Sequence, residues 1–193
     1  MAFKPEPTTN VYERVLETVL MLLGPIFIWF ALWSIFDLAL EGKFQDYFGR
    51  AKTMKKIDKL KDHYIICGAG RVGICVADEL KKRGKDVVIA EKDTVLSDKL
   101  REKGYLVING TSAEVDTLNK AGIKNAKYLV AATGDDGKNI LIILTAKELN
   151  PNIKIGARAT SEAMIPKLKH AGAEYVVLPE FIGGIQLVED IIE

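Results

Sequence analysis

An α/β fold, a doubly wound parallel six-stranded sheet preceded by one transmembrane helix, is what this 193-residue sequence predicts. Three observations predict it. An uncharged apolar run covers residues 18–36, and after residue 62 six short apolar runs alternate with helix-length amphipathic segments. The first of those runs, Tyr64-Ile65-Ile66-Cys67, breaks into Gly68-Ala69-Gly70-Arg71-Val72-Gly73. Short apolar strands separated by helices fit a parallel sheet covered on both faces, and right-handed crossovers wind such a sheet in two directions. The length suits one ordinary domain plus something extra.

The apolar run comes first in the chain. From Thr18 to Phe36 no residue is charged, and at 1.5 Å per residue the run spans roughly 28 Å, close to the hydrocarbon thickness of a bilayer. Glu17 and Asp37 bound it, and Phe27, Trp29, Phe30, Trp33 and Phe36 enrich its second half in aromatics. No basic region precedes it and no small-residue cleavage site follows, so a signal peptide fits poorly; a buried core helix is the plain alternative. Residues 1–10, with Pro5 and Pro7, read as irregular. The helix is expected to begin near Val11 and to be interrupted at Gly24-Pro25, where proline removes a hydrogen bond. Lys43, Arg50, Lys52, Lys55, Lys56, Lys59 and Lys61 follow the run, whereas Lys4 and Arg14 are the main cations before it. That asymmetry places the C-terminal side in the cytoplasm, giving a single pass through the cell membrane.

A net charge of +1 with 27% charged residues gives no field that would gather nucleic acid. Cys67 and Cys75 read as core residues of a protein in a reducing compartment, outside any metal-like cluster. Residues 1–40 form the N-terminal segment and transmembrane helix, 41–62 a basic cytoplasmic linker, and 63–193 the α/β domain. Within the linker Met54, Ile57 and Leu60 recur at three-residue steps, which predicts a short amphipathic helix against the domain. Strands are expected near 63–67, 86–91, 105–108, 127–131, 153–157 and 174–178, in the sheet order 3-2-1-4-5-6. After Pro179 the segment Phe181 to Ile192 carries seven large apolar residues around Gly183-Gly184. That is too much apolar surface for a solvated helix, and it is expected to dock on a partner subunit, with its own sheet as the alternative.

The glycine-rich turn carries the functional reading. In a dinucleotide fingerprint the first glycine permits a tight turn, the second lets backbone approach pyrophosphate, and the third lets helix pack on strand. The following helix aims free N–H groups and the positive end of its dipole at phosphate. About twenty residues on, Val87-Val88-Ile89-Ala90 ends in Glu91, where a carboxylate takes ribose hydroxyls. The fold is therefore Rossmann-like, and the cofactor-binding residues are Gly68, Ala69, Gly70, Arg71, Val72, Gly73, Glu91 and its neighbour Lys92. Gly110 and Thr111 after the third strand would wrap the adenosine end, Ala132 and Thr133 follow the fourth strand, and Arg158 follows the fifth, offering a phosphate fork. Asp135, Asp136 and Asn139 open the next helix and read as caps.

Catalytic chemistry is missing. No second domain follows the sixth strand, His63 and His170 read as surface or capping residues, and no constellation has metal spacing. The chain is therefore expected not to be an enzyme. A small NAD-dependent oxidoreductase and a membrane-anchored interaction module without ligand stay as alternatives.

These residues together resemble a known family. The membrane helix, the basic linker ending Leu60-Lys61-Asp62-His63, the turn at residues 68–73, Ala121-Gly122-Ile123, Ala131-Ala132-Thr133 with Asp136 and Asn139, and Ala171-Gly172-Ala173-Glu174 closing on Pro179 are similar to the regulator-of-potassium-conductance (RCK) family, or TrkA N-terminal domain. Residues 11–40 resemble the inner, pore-lining helix of two-helix potassium channels, and Pro7-Thr8-Thr9 the stretch after their selectivity filter. The resemblance implies a nucleotide-sensing cytoplasmic domain that pairs as a homodimer, builds a tetrameric or octameric gating ring and acts on a potassium channel pore or transporter subunit. It implies NAD(H) or an adenine nucleotide (ATP, ADP or AMP) as ligand. Departures are equally plain: no Thr-Val-Gly-Tyr-Gly filter is present, Gly110-Thr111-Ser112-Ala113 replaces the usual Gly-Asp-Ala-Thr, and Ala132, Arg158 and Thr160 stand where calcium-gated members place carboxylates. The family's smaller C-terminal lobe has no counterpart.

Overall fold

A computed structural model describes residues 10–40 and 53–192. The readings of Pro7-Thr8-Thr9 and of Lys43, Arg50 and Lys52 lie outside the described residues. Contacts divide the chain into two units, Met1–Ala51 and Lys52–Glu193.

In the first unit, α1 runs from Val11 to Leu40. The interruption expected at Gly24-Pro25 is not there: the helix continues through Pro25. Proline costs one backbone hydrogen bond and clashes one turn back, which kinks a helix without having to end it. The segment Val11–Asp37 is long and apolar enough to cross a membrane by length and composition, and its large apolar side chains are exposed in the single chain.

In the second unit, six strands form one parallel sheet in the order β3-β2-β1-β4-β5-β6: β1 Tyr64–Cys67, β2 Val87–Glu91, β3 Leu106–Asn109, β4 Tyr128–Ala131, β5 Lys154–Arg158 and β6 Tyr175–Val177. The helices are α2 Arg71–Lys82, α3 Thr94–Glu102, α4 Val115–Lys120, α5 Asp136–Leu149, α6 Ile165–His170 and α7 Pro179–Ile192. Strand periodicity sorts the apolar residues onto two faces. Ile66, Val87, Ile89 and Val107 meet Ala77 and Leu100 on one side. Ile65, Cys67, Val88 and Leu129 meet Leu118, Ile142, Ile143 and Leu168 on the other. The fully buried leucines and isoleucines each contribute about 1.5–3 kcal/mol of burial. Strand order reverses beside β1, which pairs with β2 on one side and β4 on the other. That switch point opens a crevice at the strands' carboxyl ends.

Residues 53–57 are helical and belong to this unit. Ile57 is buried, with Met54 and Leu60 packed on the same cluster, as their spacing predicts. His63 corrects the sequence reading, for it is buried rather than at the surface. Its Nε2 lies 2.9 Å from the Ala121 carbonyl oxygen, so that nitrogen donates, and Gly122 (φ +77°) leaves room for the ring where a Cβ would sit 3.1 Å from Cε1. One hydrogen bond makes a buried imidazole tolerable. Cys75 is the second correction: it is exposed on α2, and only Cys67 is in the core. Burial raises the Cys67 thiol to about 12, against a lowering by its hydrogen bond with Ser112. In α7 Phe181, Ile182, Ile185, Leu187, Val188, Ile191 and Ile192 are all exposed; the helix does not bury them on its own sheet.

Candidate functional site

The crevice is built around the turn from β1 to α2. Gly68 has φ +93°, and a Cβ there would lie 3.1 Å from Thr133 Cγ2 and 3.2 Å from the Thr133 nitrogen. Both the left-handed backbone and the neighbour demand glycine. At Gly73 a Cβ would lie 1.9 Å from the Gly68 carbonyl oxygen, so the first turn of α2 packs directly on the loop. Gly70 is different. It caps α2 with φ −70°, ψ −173° and no side-chain hydrogen bond, and a Cβ there would meet nothing within 4 Å. The protein itself makes no demand for glycine at this position, and the space above it is open. An uncapped helix start leaves its first N–H groups turned outward under the positive end of the dipole. This is the arrangement that a phosphate group fits.

Glu91 closes the loop from the end of β2. The side chain is buried. Its Oε2 accepts from the Ala69 N–H at 2.7 Å, and its Oε1 accepts from the Asp93 N–H at 2.9 Å. Lys92 beside it is exposed, and its carbonyl accepts from the Asn109 amide. Asp93 caps α3 through the Leu96 N–H. Gly110 donates its N–H to the Glu91 carbonyl at 2.9 Å, and a Cβ there would lie 2.5 Å from Thr117 Oγ1. Thr111 is exposed at the turn into α4.

Beyond β4, Ala132 is buried and its N–H bonds the Cys67 carbonyl at 2.9 Å. Thr133 is held by Asn139, which is fully buried. Asn139 Oδ1 accepts from the Thr133 N–H at 3.1 Å and from its hydroxyl at 2.7 Å. Its Nδ2 donates to the Thr133 carbonyl at 3.2 Å and to the Arg158 carbonyl at 3.0 Å. One amide thus pins the ends of β4 and β5 together. The capping readings divide: Asp135 caps α5 through the Lys138 N–H at 3.1 Å, whereas Asp136 reaches across to the Thr160 N–H at 3.0 Å and its hydroxyl.

Arg158 is mostly shielded and pairs with Glu180 of α7 at 2.6 Å. The Glu180 carboxyl is held below the usual range, first by its own backbone hydrogen bond and then by Arg158 and the nearby charge of Arg71. Two arginines therefore converge on the rim of the crevice. The structure brings residues 68–73, Glu91, Ala132, Thr133 and Arg158 together, with Lys92, Gly110 and Thr111 along the β2–β3 side. Sequence reasoning missed the pinning by Asn139 and the partner of Arg158. An asparagine four residues into a helix, where its propensity is poor, is a signal for the first; nothing in the sequence marks the second. Among the described residues no group of His, Cys, Asp and Glu side chains is arranged for a metal ion.

The TrkA-N domain model matches residues 64–179. Potassium channel protein 1 of Methanocaldococcus jannaschii is 39% identical over 160 residues, 82% of this chain and 48% of that protein. The TrkA-N domain of inner membrane protein ybaL from Escherichia coli superimposes with a TM-score of 0.64 at 27% identity, covering 68% of this chain and 97% of that one. The Shewanella denitrificans Kef CTD in AMP-bound form gives a TM-score of 0.60 at 27% identity, over 67% and 79% of the two chains. The chain spans about half the length, or less, of the curated relatives it matches. Two relatives from Methanocaldococcus jannaschii and one from Pyrococcus horikoshii carry the names of potassium channel and potassium uptake proteins, not of enzymes.

Proposed function

The chain belongs to the TrkA-N family, and from that premise we propose that it is a membrane-tethered, nucleotide-sensing gating domain regulating potassium channel or transport activity. The observation that carries the reading is the glycine turn. Gly68 and Gly73 are required by the protein's own packing, while Gly70 faces open space at an uncapped helix start. The AMP-bound relative of the same fold supports a nucleotide as the group received there.

A bound nucleotide supplies phosphate charge and ribose hydroxyls and undergoes no reaction. The N–H groups of residues 70–73 and the α2 dipole hold phosphate, with Arg71 and Arg158 as cations at the rim. Each Glu91 oxygen has one protein donor, and a carboxylate has about four acceptor sites, leaving capacity for ribose hydroxyls. The same charge repels a 2′-phosphate, so NAD(H), ATP, ADP or AMP is selected over NADP. Ala132 and Thr133 form the far wall, and Gly110, Thr111 and Lys92 flank the adenosine end. Residues 63–193 constitute the sensing domain, 41–62 the linker and 1–40 the membrane segment. The exposed apolar face of α7 supports pairing of copies, building towards a tetrameric or octameric ring. Ligand shifts the pore only by binding one arrangement of the paired domains better than the other.

Gly70→Val tests the site. Valine is a poorer helix cap than glycine, which costs about 1 kcal/mol, so the variant folds with a slightly lower melting temperature. Its Cβ branch fills the phosphate space, and binding of AMP and NAD falls by about tenfold or more. In the wild type, ligand at a hundred times its dissociation constant adds about 2.7 kcal/mol of stability. Thermal melts with AMP, ADP, ATP and NAD(H) read both effects; a wild-type melt that none of them moves refutes nucleotide sensing.

Topology has its own reporter. Cys75 is exposed and Cys67 buried, with its thiol pushed up to about 12, so a membrane-impermeant maleimide modifies Cys75 alone. In sealed cells that modification awaits permeabilisation, because the domain is cytoplasmic. Labelling of intact cells from outside would reverse the orientation.

A further inference from the structure

We propose that the pole of the domain at the amino ends of the strands, opposite the nucleotide crevice, docks on an anionic lipid surface. The proposal rests on the membrane-tethered reading of α1. A hollow of about 430 Å³ at this pole is lined by Lys56, Lys59, Lys81 and Lys85, with Asp86 as its one carboxylate and Tyr105 in its wall. Two separate stretches of chain supply these cations, the helical residues 53–57 with the turn after them and the end of α2 with its following loop, and the entry to β3 supplies the ring. Lys81 is held in place, its ammonium 4.3 Å from the Tyr105 ring centroid and 3.2 Å from the Lys103 carbonyl oxygen.

The row of residues that opens the strands continues this chemistry. Register aligns Tyr64 with Tyr128 and Tyr128 with Lys154. The tyrosine rings stack at 4.9 Å, with Lys127 and Lys154 ammoniums each 5.9 Å from the Tyr128 ring centroid. Half-exposed tyrosines between lysines suit the headgroup level of a bilayer, where the ring takes the apolar side and the hydroxyl and ammonium meet water and phosphate.

Chain connectivity selects the occupant. Residues 41–52 join α1 to the helical residues that carry Lys56 and Lys59, and they add Lys43, Arg50 and Lys52. Fully extended, that stretch reaches about 42 Å, so a bilayer holding α1 is present near this pole at high effective concentration. Each lysine that reaches an anionic leaflet strengthens attachment by about fivefold, and salt weakens it within a Debye length of about 10 Å at 0.1 M. Attachment holds the domain by its floor and leaves the nucleotide crevice facing away.

The experiment uses the full chain in lipid nanodiscs of phosphatidylcholine alone and of phosphatidylcholine with phosphatidylserine. Lysine acetylation is followed by mass spectrometry. Expected is at least about threefold slower modification of Lys56, Lys59, Lys81 and Lys85 in the anionic discs, relieved at high salt, with the exposed Lys138, at the crevice end of α5, unchanged. The double variant Lys59→Glu, Lys85→Glu loses the protection of the remaining two lysines and keeps its nucleotide-induced melting shift. Equal rates in the two discs overturn the proposal while leaving the tether intact. Equal protection by inorganic phosphate in zwitterionic discs also overturns it, since the hollow would then be a soluble-anion site. A chain that enters neither disc removes the tethered reading and the proposal with it.

Discussion

Gly73→Ala lowers the melting temperature of the domain by about 10 °C and abolishes its response to nucleotide. A Cβ at this position would lie 1.9 Å from the Gly68 carbonyl oxygen and 3.4 Å from Ile66 Cγ2. The first contact is to backbone, so no side-chain rotation relieves it; α2 must shift away from the loop or the loop must lift off the sheet. Overpacking of this kind costs about 3 kcal/mol, and for a domain of this size each kcal/mol is worth about 3–4 °C. Either movement carries the first turn of α2 out of line with Gly68, so the phosphate position is lost along with the stability. Differential scanning calorimetry with and without AMP measures both losses. The contrast with Gly70→Val is the sharper check, because that variant loses ligand response with little loss of stability. If Gly73→Ala melts with the wild type, the contact between α2 and the loop is not what holds the turn.

Asn139→Ala is the second large effect. Removing the amide leaves the Thr133 N–H and the Thr133 and Arg158 carbonyls without the partners they have at 3.0–3.2 Å. Orphaned buried polar groups cost about 1–3 kcal/mol each when water cannot reach them; partial access at the rim brings the total to about 3 kcal/mol, or about 10 °C. The loss is local as well as global. Hydrogen exchange at Thr133 accelerates, because its donor no longer has an acceptor within the protein. Asn139→Asp does no better, since a carboxylate accepts from Thr133 but donates to neither carbonyl. Unchanged exchange at Thr133 in Asn139→Ala would show that the two strand ends are held by other means.

The sheet was legible in the sequence because its information is local. The inner strands are short runs such as Val87-Val88-Ile89-Ala90, buried on both faces, and apolar runs of that length between helices admit few other arrangements. Strand order followed from the rules of crossover connection, and the observed order agrees. The glycine turn was legible for the same reason, since Gly73 answers to the Gly68 carbonyl in the same turn and Gly68 to its own left-handed backbone. Side chains whose role depends on distant partners were not legible. His63 is buried because Ala121 and Gly122 come to meet it, and Cys75 is exposed because of the face of α2 on which it falls. Glu180 meets Arg158 across 22 residues. Pro25 illustrates the opposite error: a local rule with a strong prior was overridden by the surrounding helix.

Glu91 is a part made ready in advance. Its two backbone partners, Ala69 and Asp93, fix the carboxylate before any ribose arrives, so a bound sugar finds it already aimed and no rotamer freedom is surrendered at the moment of capture. Such a residue transmits little motion of its own. Any rearrangement a nucleotide provokes must then begin elsewhere on the rim, where Arg158 would have to leave one anion to greet another.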